Sequence, residues 1–136
     1  MIKYFLILWM CMIGLSVLAQ QKTGIASYYH SKFEGRKTAS GEIFCHKKLT
    51  AASNHYKLGE WVKVTNVENG KSVYVLINDR MAKNSSRLID LTQCAANNLC
   101  FMGKGLCKVN VERVPNEPSA ELTNLENPID SLRLNK

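Results

Sequence analysis

The chain has 136 residues, 46% hydrophobic and 21% charged, with 18 Lys and Arg against 11 Asp and Glu for a formal net charge of +7. This is the composition of a basic globular protein, and it excludes a disordered polymer, a collagen-like chain and a polytopic membrane protein. The excess of cations suits an anionic partner such as a cell-wall polymer or a membrane surface, with a solvated basic face as the plain alternative.

Lys3 precedes an apolar run over residues 4–18, and Val17 and Ala19 occupy the −3 and −1 positions of a small-residue cleavage site. The pattern predicts a secretory signal over residues 1–19, cut before Gln20. An uncleaved anchor is the competing reading, but the run is short for a span of about 20 apolar residues, and Gln20, Gln21 and Lys22 follow at once. Export disfavours nucleic acid as a partner. The remaining 117 residues are enough for one domain with a modest core and too few for two. Between Lys22 and Val114 fifteen Lys and Arg stand against seven Asp and Glu, whereas residues 115–136 carry two against four. One domain is therefore expected over residues 20–114. The rest, with Pro115, Pro118 and Pro128 and no sustained period, reads as a flexible tail over residues 115–136.

Strands are predicted over residues 24–29, 49–52, 61–67, 72–78, 87–91 and 106–114, from β-branched and aromatic runs or from alternation. Between the third and fourth, Glu68-Asn69-Gly70-Lys71 supplies the positive-φ residues of a tight hairpin. One short helix is predicted from Thr92 or Gln93 to Leu99, with Thr92 as its cap, Ala95 and Ala96 favouring it and Gly103 just past its end. Five or six short strands with one helix in about ninety residues point to an all-β domain, either a small closed barrel or a sandwich.

Cys11 departs with the leader, leaving Cys45, Cys94, Cys100 and Cys107. An even count in an exported protein predicts two disulfides, with three pairings open. Cys100 with Cys107 is the first candidate, because Gly103 and Gly105 let the chain turn back. Four thiols used as small hydrophobes is the other reading. No Cys-x-x-Cys pair occurs, and His30, His46 and His55 lack His-x-x-x-His spacing, so no metal and no cofactor is expected.

Counting by two along Val73, Val75 and Ile77 brings Asp79 to the same side as that apolar set, as a carboxyl at the barrel mouth. A carboxyl half-buried among apolar neighbours favours its neutral form, which a general acid requires. Beside Arg80 it can equally be a solvated turn or an ion pair. Glu42, in the Thr38-Ala39-Ser40-Gly41-Glu42 loop, is a second acid, with a surface turn as its alternative. Asp90 is expected to accept backbone N–H bonds near the helix start. Tyr28 and Tyr29 are placed either to stack on sugar rings or to pack within their strand.

These segments form a series: Gly24-Ile25-Ala26-Ser27-Tyr28-Tyr29, Gly35-Arg36-Lys37-Thr38-Ala39-Ser40-Gly41-Glu42, Leu49-Thr50-Ala51-Ala52, Val62-Lys63-Val64-Thr65-Asn66, Asn69-Gly70-Lys71-Ser72-Val73, Ile77-Asn78-Asp79-Arg80 and Leu88-Ile89-Asp90-Leu91. In that order they resemble the rare lipoprotein A (RlpA) family over nearly all of residues 24–114. The resemblance implies a six-stranded double-psi β-barrel, related to the barrels of expansins. It also implies an exported endolytic lytic transglycosylase that cleaves peptidoglycan between N-acetylmuramic acid and N-acetylglucosamine, leaving 1,6-anhydromuramic ends.

By position the family's acids match Asp79 and Glu42, and Asn78, Arg80, Tyr28, Tyr29, Ser53 and His55 are expected to bind substrate. The histidine that commonly follows Leu-Thr-Ala-Ala is replaced by Ser53, and His55, two residues on, is the candidate to take its place. His30 stands where the family prefers glycine, and Met81-Ala82 where it usually has Gly-Pro. The cysteines add to the family pattern. The sequence leaves no room for the peptidoglycan-binding repeat domain common in relatives, so localisation is expected from the barrel or from partners.

The leading expectation is a monomeric enzyme acting on glycan strands, with a cell-envelope or divisome protein as partner. Its rivals are a non-catalytic glycan-binding module of expansin type and a scaffold used as a virulence factor or inhibitor.

Overall fold

Alternating valines build a long hairpin. In the computed structural model, which describes residues 20–119, β3 (Trp61–Asn66) buries Val62 and Val64, and β4 (Ser72–Asp79) buries Val73, Val75 and Ile77. The two pair antiparallel from Trp61 opposite Leu76 to Thr65 opposite Ser72. Gly70 makes the turn between them with φ +72°, and its N–H donates to the Asn66 carbonyl at 2.8 Å. That backbone region favours glycine because a Cβ clashes there. The Asn66 and Asn69 amides both donate to the Leu99 carbonyl, at 2.9 and 3.0 Å, which anchors the turn to the end of the helix.

The other strands are β1 (Gln21–Tyr28), β2 (Thr50–Ala52), β5 (Ile89–Leu91) and β6 (Cys107–Val114). Their order is β1-β5-β2-β4-β3-β6, and the sheet closes because β6 pairs with both β3 and β1. β1 runs parallel to β5 and β2 parallel to β4; the other pairings are antiparallel. Of the two architectures compatible with the alternation, the barrel is the one adopted, and closure leaves no open edge. The interior holds Ala26, Ile89, Leu91, Val109 and Val111 beside the valines of β3 and β4. The predicted leader and most of the predicted tail lie outside the described residues.

The helix, α1 (Gln93–Asn98), starts where its cap predicts. Thr92 Oγ1 accepts the Ala95 N–H at 3.4 Å and donates to the Lys48 carbonyl at 2.6 Å. Leu99 and Phe101, just beyond α1, are fully buried in the core. Thr92→Ala removes both hydrogen bonds, and a loss of about 1 kcal/mol in urea unfolding is expected. An unchanged midpoint would mean that the cap carries no stability.

Gly24 has a different reason to be glycine. A Cβ there would lie 2.7 Å from the Cβ of Leu88, a contact no flexible side-chain end can relieve. Gly24→Ala is expected to cost about 1–3 kcal/mol through overpacking. Denaturant melts that coincide with wild type would contradict this.

No disulfide joins the four cysteines among the described residues. The Lys71 ammonium donates to Cys100 Sγ at 3.1 Å, while Cys107 is buried with its Sγ 3.5 Å from the Lys108 carbonyl. The turn at Gly103 and Gly105 therefore leaves the favoured pair engaged with separate partners rather than with each other.

Candidate active site

The site forms where β4 leaves the barrel. β2 pairs Ala51 with Ile77 and then Ala52 with Asp79, so the register shifts across Asn78. Such a bulge at a barrel rim re-aims the side chains beside it. Asn78 is buried, while Asp79 is half-buried and lines an open cleft of about 560 Å³.

Around the Asp79 carboxyl stand donors rather than the apolar neighbours that alternation predicts. Oδ1 accepts the N–H groups of Ala39 at 2.9 Å and Arg80 at 2.8 Å, and Oδ2 accepts the Tyr29 hydroxyl at 2.6 Å. The donors come from a loop, from β4's own end and from the residue after β1, so one carboxylate ties three segments together. Burial, then the hydrogen bond to Asp79 and that residue's charge, push the Tyr29 hydroxyl far above the ordinary phenol range. Tyr29 thus stays protonated and donates.

The loop over residues 35–44 folds back on itself through Gly35 N–H to the Phe44 carbonyl at 3.0 Å and Phe44 N–H to the Arg36 carbonyl at 2.7 Å. This sets Phe44 on Tyr29 with ring centroids 4.4 Å apart, and Phe33 stands edge-on to Tyr29 at 5.5 Å. The three rings form one wall of the cleft. On another side lies a second carboxylate, Asp90, which accepts the Ser27 hydroxyl and a two-point ion pair from Arg87 at 2.8 and 3.0 Å. Asp90 was expected to bond backbone N–H groups near the helix. The parallel register puts it opposite Ser27 instead, and Thr92 takes the capping role. Arg36, Lys37, Arg80 and Arg87 line the same cleft against the two acids, so its field is basic.

The other sequence candidates divide. Tyr28 lines the cleft, with its hydroxyl donated to the Met102 carbonyl at 2.8 Å and its ring 5.9 Å from Phe101. Arg80 lines it too, while its guanidinium donates to the carbonyls of Ser53 and Tyr56. Glu42 is exposed and lies beside the cleft lining rather than in it, reached by the Asn78 amide at 3.4 Å. Ser53 is fully buried and donates to the Leu88 carbonyl at 2.8 Å, turned into the fold. His55 lines a separate cavity of about 310 Å³ with Lys22, Tyr56 and Arg113, where Lys22 Nζ lies 3.1 Å from its Nδ1. The imidazole in the Asp79 cleft belongs to His30, whose Nδ1 accepts the Lys32 N–H at 3.2 Å, leaving the ring proton on Nε2. Among the described residues no three His, Cys, Asp or Glu side chains are grouped to hold a metal ion.

Among solved structures, Streptomyces papain inhibitor is similar with a TM-score of 0.58 at 24% identity, over 70% of this chain and 94% of that one. The apo expansin of Clavibacter michiganensis gives 0.59 at 19%, over 74% and 53%. At such identities these likenesses carry the barrel alone. In sequence, 91 residues are 44% identical to endolytic peptidoglycan transglycosylase RlpA of Haemophilus influenzae, covering 67% of this chain and 32% of that protein. Its counterpart in Rickettsia felis is 43% identical over 107 residues, 76% of this chain and 47% of that protein. The chain thus spans a third to a half of the length of these relatives. Residues 21–111 match the family model described as lytic transglycolase, a stretch that takes in β1 to β5, most of β6 and both cleft carboxylates, and the chain belongs to that family.

Proposed function

We propose that this barrel is an exported endolytic lytic transglycosylase that cleaves peptidoglycan glycan strands between N-acetylmuramic acid and N-acetylglucosamine. The observation that carries the reading is the half-buried Asp79 carboxyl lining an open basic cleft beside the Tyr29, Phe33 and Phe44 rings. One carboxyl group serves both halves of this reaction. It protonates the leaving glycosidic oxygen, then takes the proton of the sugar's own C6 hydroxyl as that oxygen closes on C1. No water attacks, so the two flanking carboxylates of a hydrolase are not required. Tyr29, donating to Oδ2, stabilises the charge that appears when Asp79 gives up its proton. Tyr28 and the Phe33 and Phe44 rings offer apolar faces to sugar rings, and Glu42 orients Asn78 beside the acid. Names of relatives support the substrate, and the basic cleft suits the anionic polymer.

A second reading, a non-catalytic glycan-binding module, is favoured by Ser53, which stands where the family resemblance implies a histidine and is buried away from the cleft. Incubating purified protein with intact and stem-peptide-stripped peptidoglycan separates the two. Anhydromuramyl products in the mass spectrum support the enzyme. Co-sedimentation with glycan and no such products supports the binding module.

A further inference from the structure

Cys94 is tied by its backbone to the residue that follows Cys45, far away in sequence. The Cys94 N–H donates to the carbonyl of His46, the residue after Cys45, at 3.1 Å, and the neighbouring Gln93 N–H reaches His46 Nδ1 at 3.4 Å. From its other side His46 N–H donates to Glu34 Oε2 at 2.8 Å. Both thiols are half-buried, where solvent does not compete freely for them. Residues 46 and 94 therefore meet across the seam between the loop before β2 and the first turn of α1, with Cys45 one residue away.

We propose that Cys45 and Cys94 form a disulfide on export, and that this bond clamps the loop carrying Phe44 against the cleft. Burial first, and then the charge of Cys45, push the Cys94 thiol up. The Cys45 thiol is hydrogen-bonded to the Glu34 carboxylate, while Cys100 faces Lys71 and Cys107 its own strand.

The oxidant is a disulfide-bearing donor, a thiol oxidoreductase in an oxidising compartment or oxidised glutathione in the tube. One cysteine thiolate attacks the donor's disulfide and expels a thiolate. The second cysteine, losing its proton, attacks the mixed disulfide and expels the other. The two cysteines lose two electrons, the donor's disulfide becomes two thiols, and the two protons end on those thiols.

The bond would bear on the cleft through one residue. Cys45 follows Phe44, whose ring stands 4.4 Å from that of Tyr29, and Tyr29 donates to Asp79. The same loop supplies the Ala39 N–H to Asp79. Tying Cys45 to α1 fixes the end of that loop to the barrel.

The test takes the full chain equilibrated with oxidised glutathione, alkylated, and digested with trypsin without reduction. Expected is peptide 38–47 joined to peptide 88–104, with Cys100 in the latter carrying the alkyl group. Peptide 38–47 alkylated at Cys45, or joined to peptide 105–108 through Cys107, overturns the proposal. A second readout addresses the clamp. Closing so long a loop should raise the thermal midpoint of the oxidised protein over the reduced one by about 5 °C or more. The difference should vanish in Cys45→Ser, and a bond that forms with no such rise overturns the clamping role.

Discussion

Asp79→Asn is expected to lower the release of anhydromuramyl products by about 10³-fold or more while leaving glycan co-sedimentation and the thermal midpoint near wild type. The amide fits the same pocket. Its oxygen can keep accepting the Ala39 and Arg80 N–H groups, and its nitrogen can donate to the Tyr29 oxygen that formerly donated to Oδ2. What the variant lacks is a group that gives and then takes a proton. Folding and binding should therefore survive while chemistry is lost, a separation that Asp79→Ala would blur by orphaning three donors. The opposite loss, of sedimentation with glycan but not of product, would assign Asp79 to binding and remove it from the reaction. Asp90→Asn is the matching control, because Asp90 is held in an ion pair with Arg87 across the same cleft. If it lowers product as far as Asp79→Asn does, the reaction uses two carboxylates and the single-carboxyl scheme fails.

The strands and the helix were legible because their signals are local. Val62 with Val64, Val73 with Val75, and Val109 with Val111 each mark a buried face two residues at a time, and Thr92 sits immediately before the helix it caps. Gly70 is likewise read from its own tetrapeptide. The cleft depends on contacts that no period encodes. Tyr29 meets Asp79 across 50 residues and Ser27 meets Asp90 across 63, and both follow from barrel closure rather than from either strand. The bulge at Asn78 has no signal in the alternating run before it, so the donors around Asp79 could not be read from that run. Phe33, Phe44, Arg36 and Arg87 entered the site only once the loop over residues 35–44 folded back and β5 lay parallel to β1. The alignment of motifs supplied Asp79 and Tyr29 where the period alone left alternatives. It could not foresee that Ser53 turns inward, that His55 joins a different cavity, or that His30 supplies the imidazole of the cleft.

Tyr29→Phe should slow product release by about 10²-fold at neutral pH, with little change in glycan binding, because it removes a single donor from the carboxylate and leaves the ring. The ring still packs on Phe44 and Phe33, so the wall of the cleft persists. A wild-type rate would mean that the hydrogen bond to Oδ2 is structural. The same substitution has a signature in alkali that a mere packing role would not move. The folded protein holds the Tyr29 proton more tightly than the unfolded chain does, since burial and the Asp79 carboxylate both oppose the phenolate. Below the unfolded value of about 10 the phenol is neutral in both states and its contribution to stability is intact. Above it the unfolded chain loses the proton first, the native state binds more protons, and stability falls as pH rises, by at most about 1.4 kcal/mol per pH unit for one tyrosine. Tyr56, whose hydroxyl burial also pushes up, adds to the same slope in wild type and variant alike. Urea unfolding between neutral pH and pH 11 should therefore show a shallower alkaline decline for Tyr29→Phe than for wild type. Parallel declines would mean that Tyr29 does not keep its proton through the native state, and that its hydroxyl is not a fixed donor to Asp79.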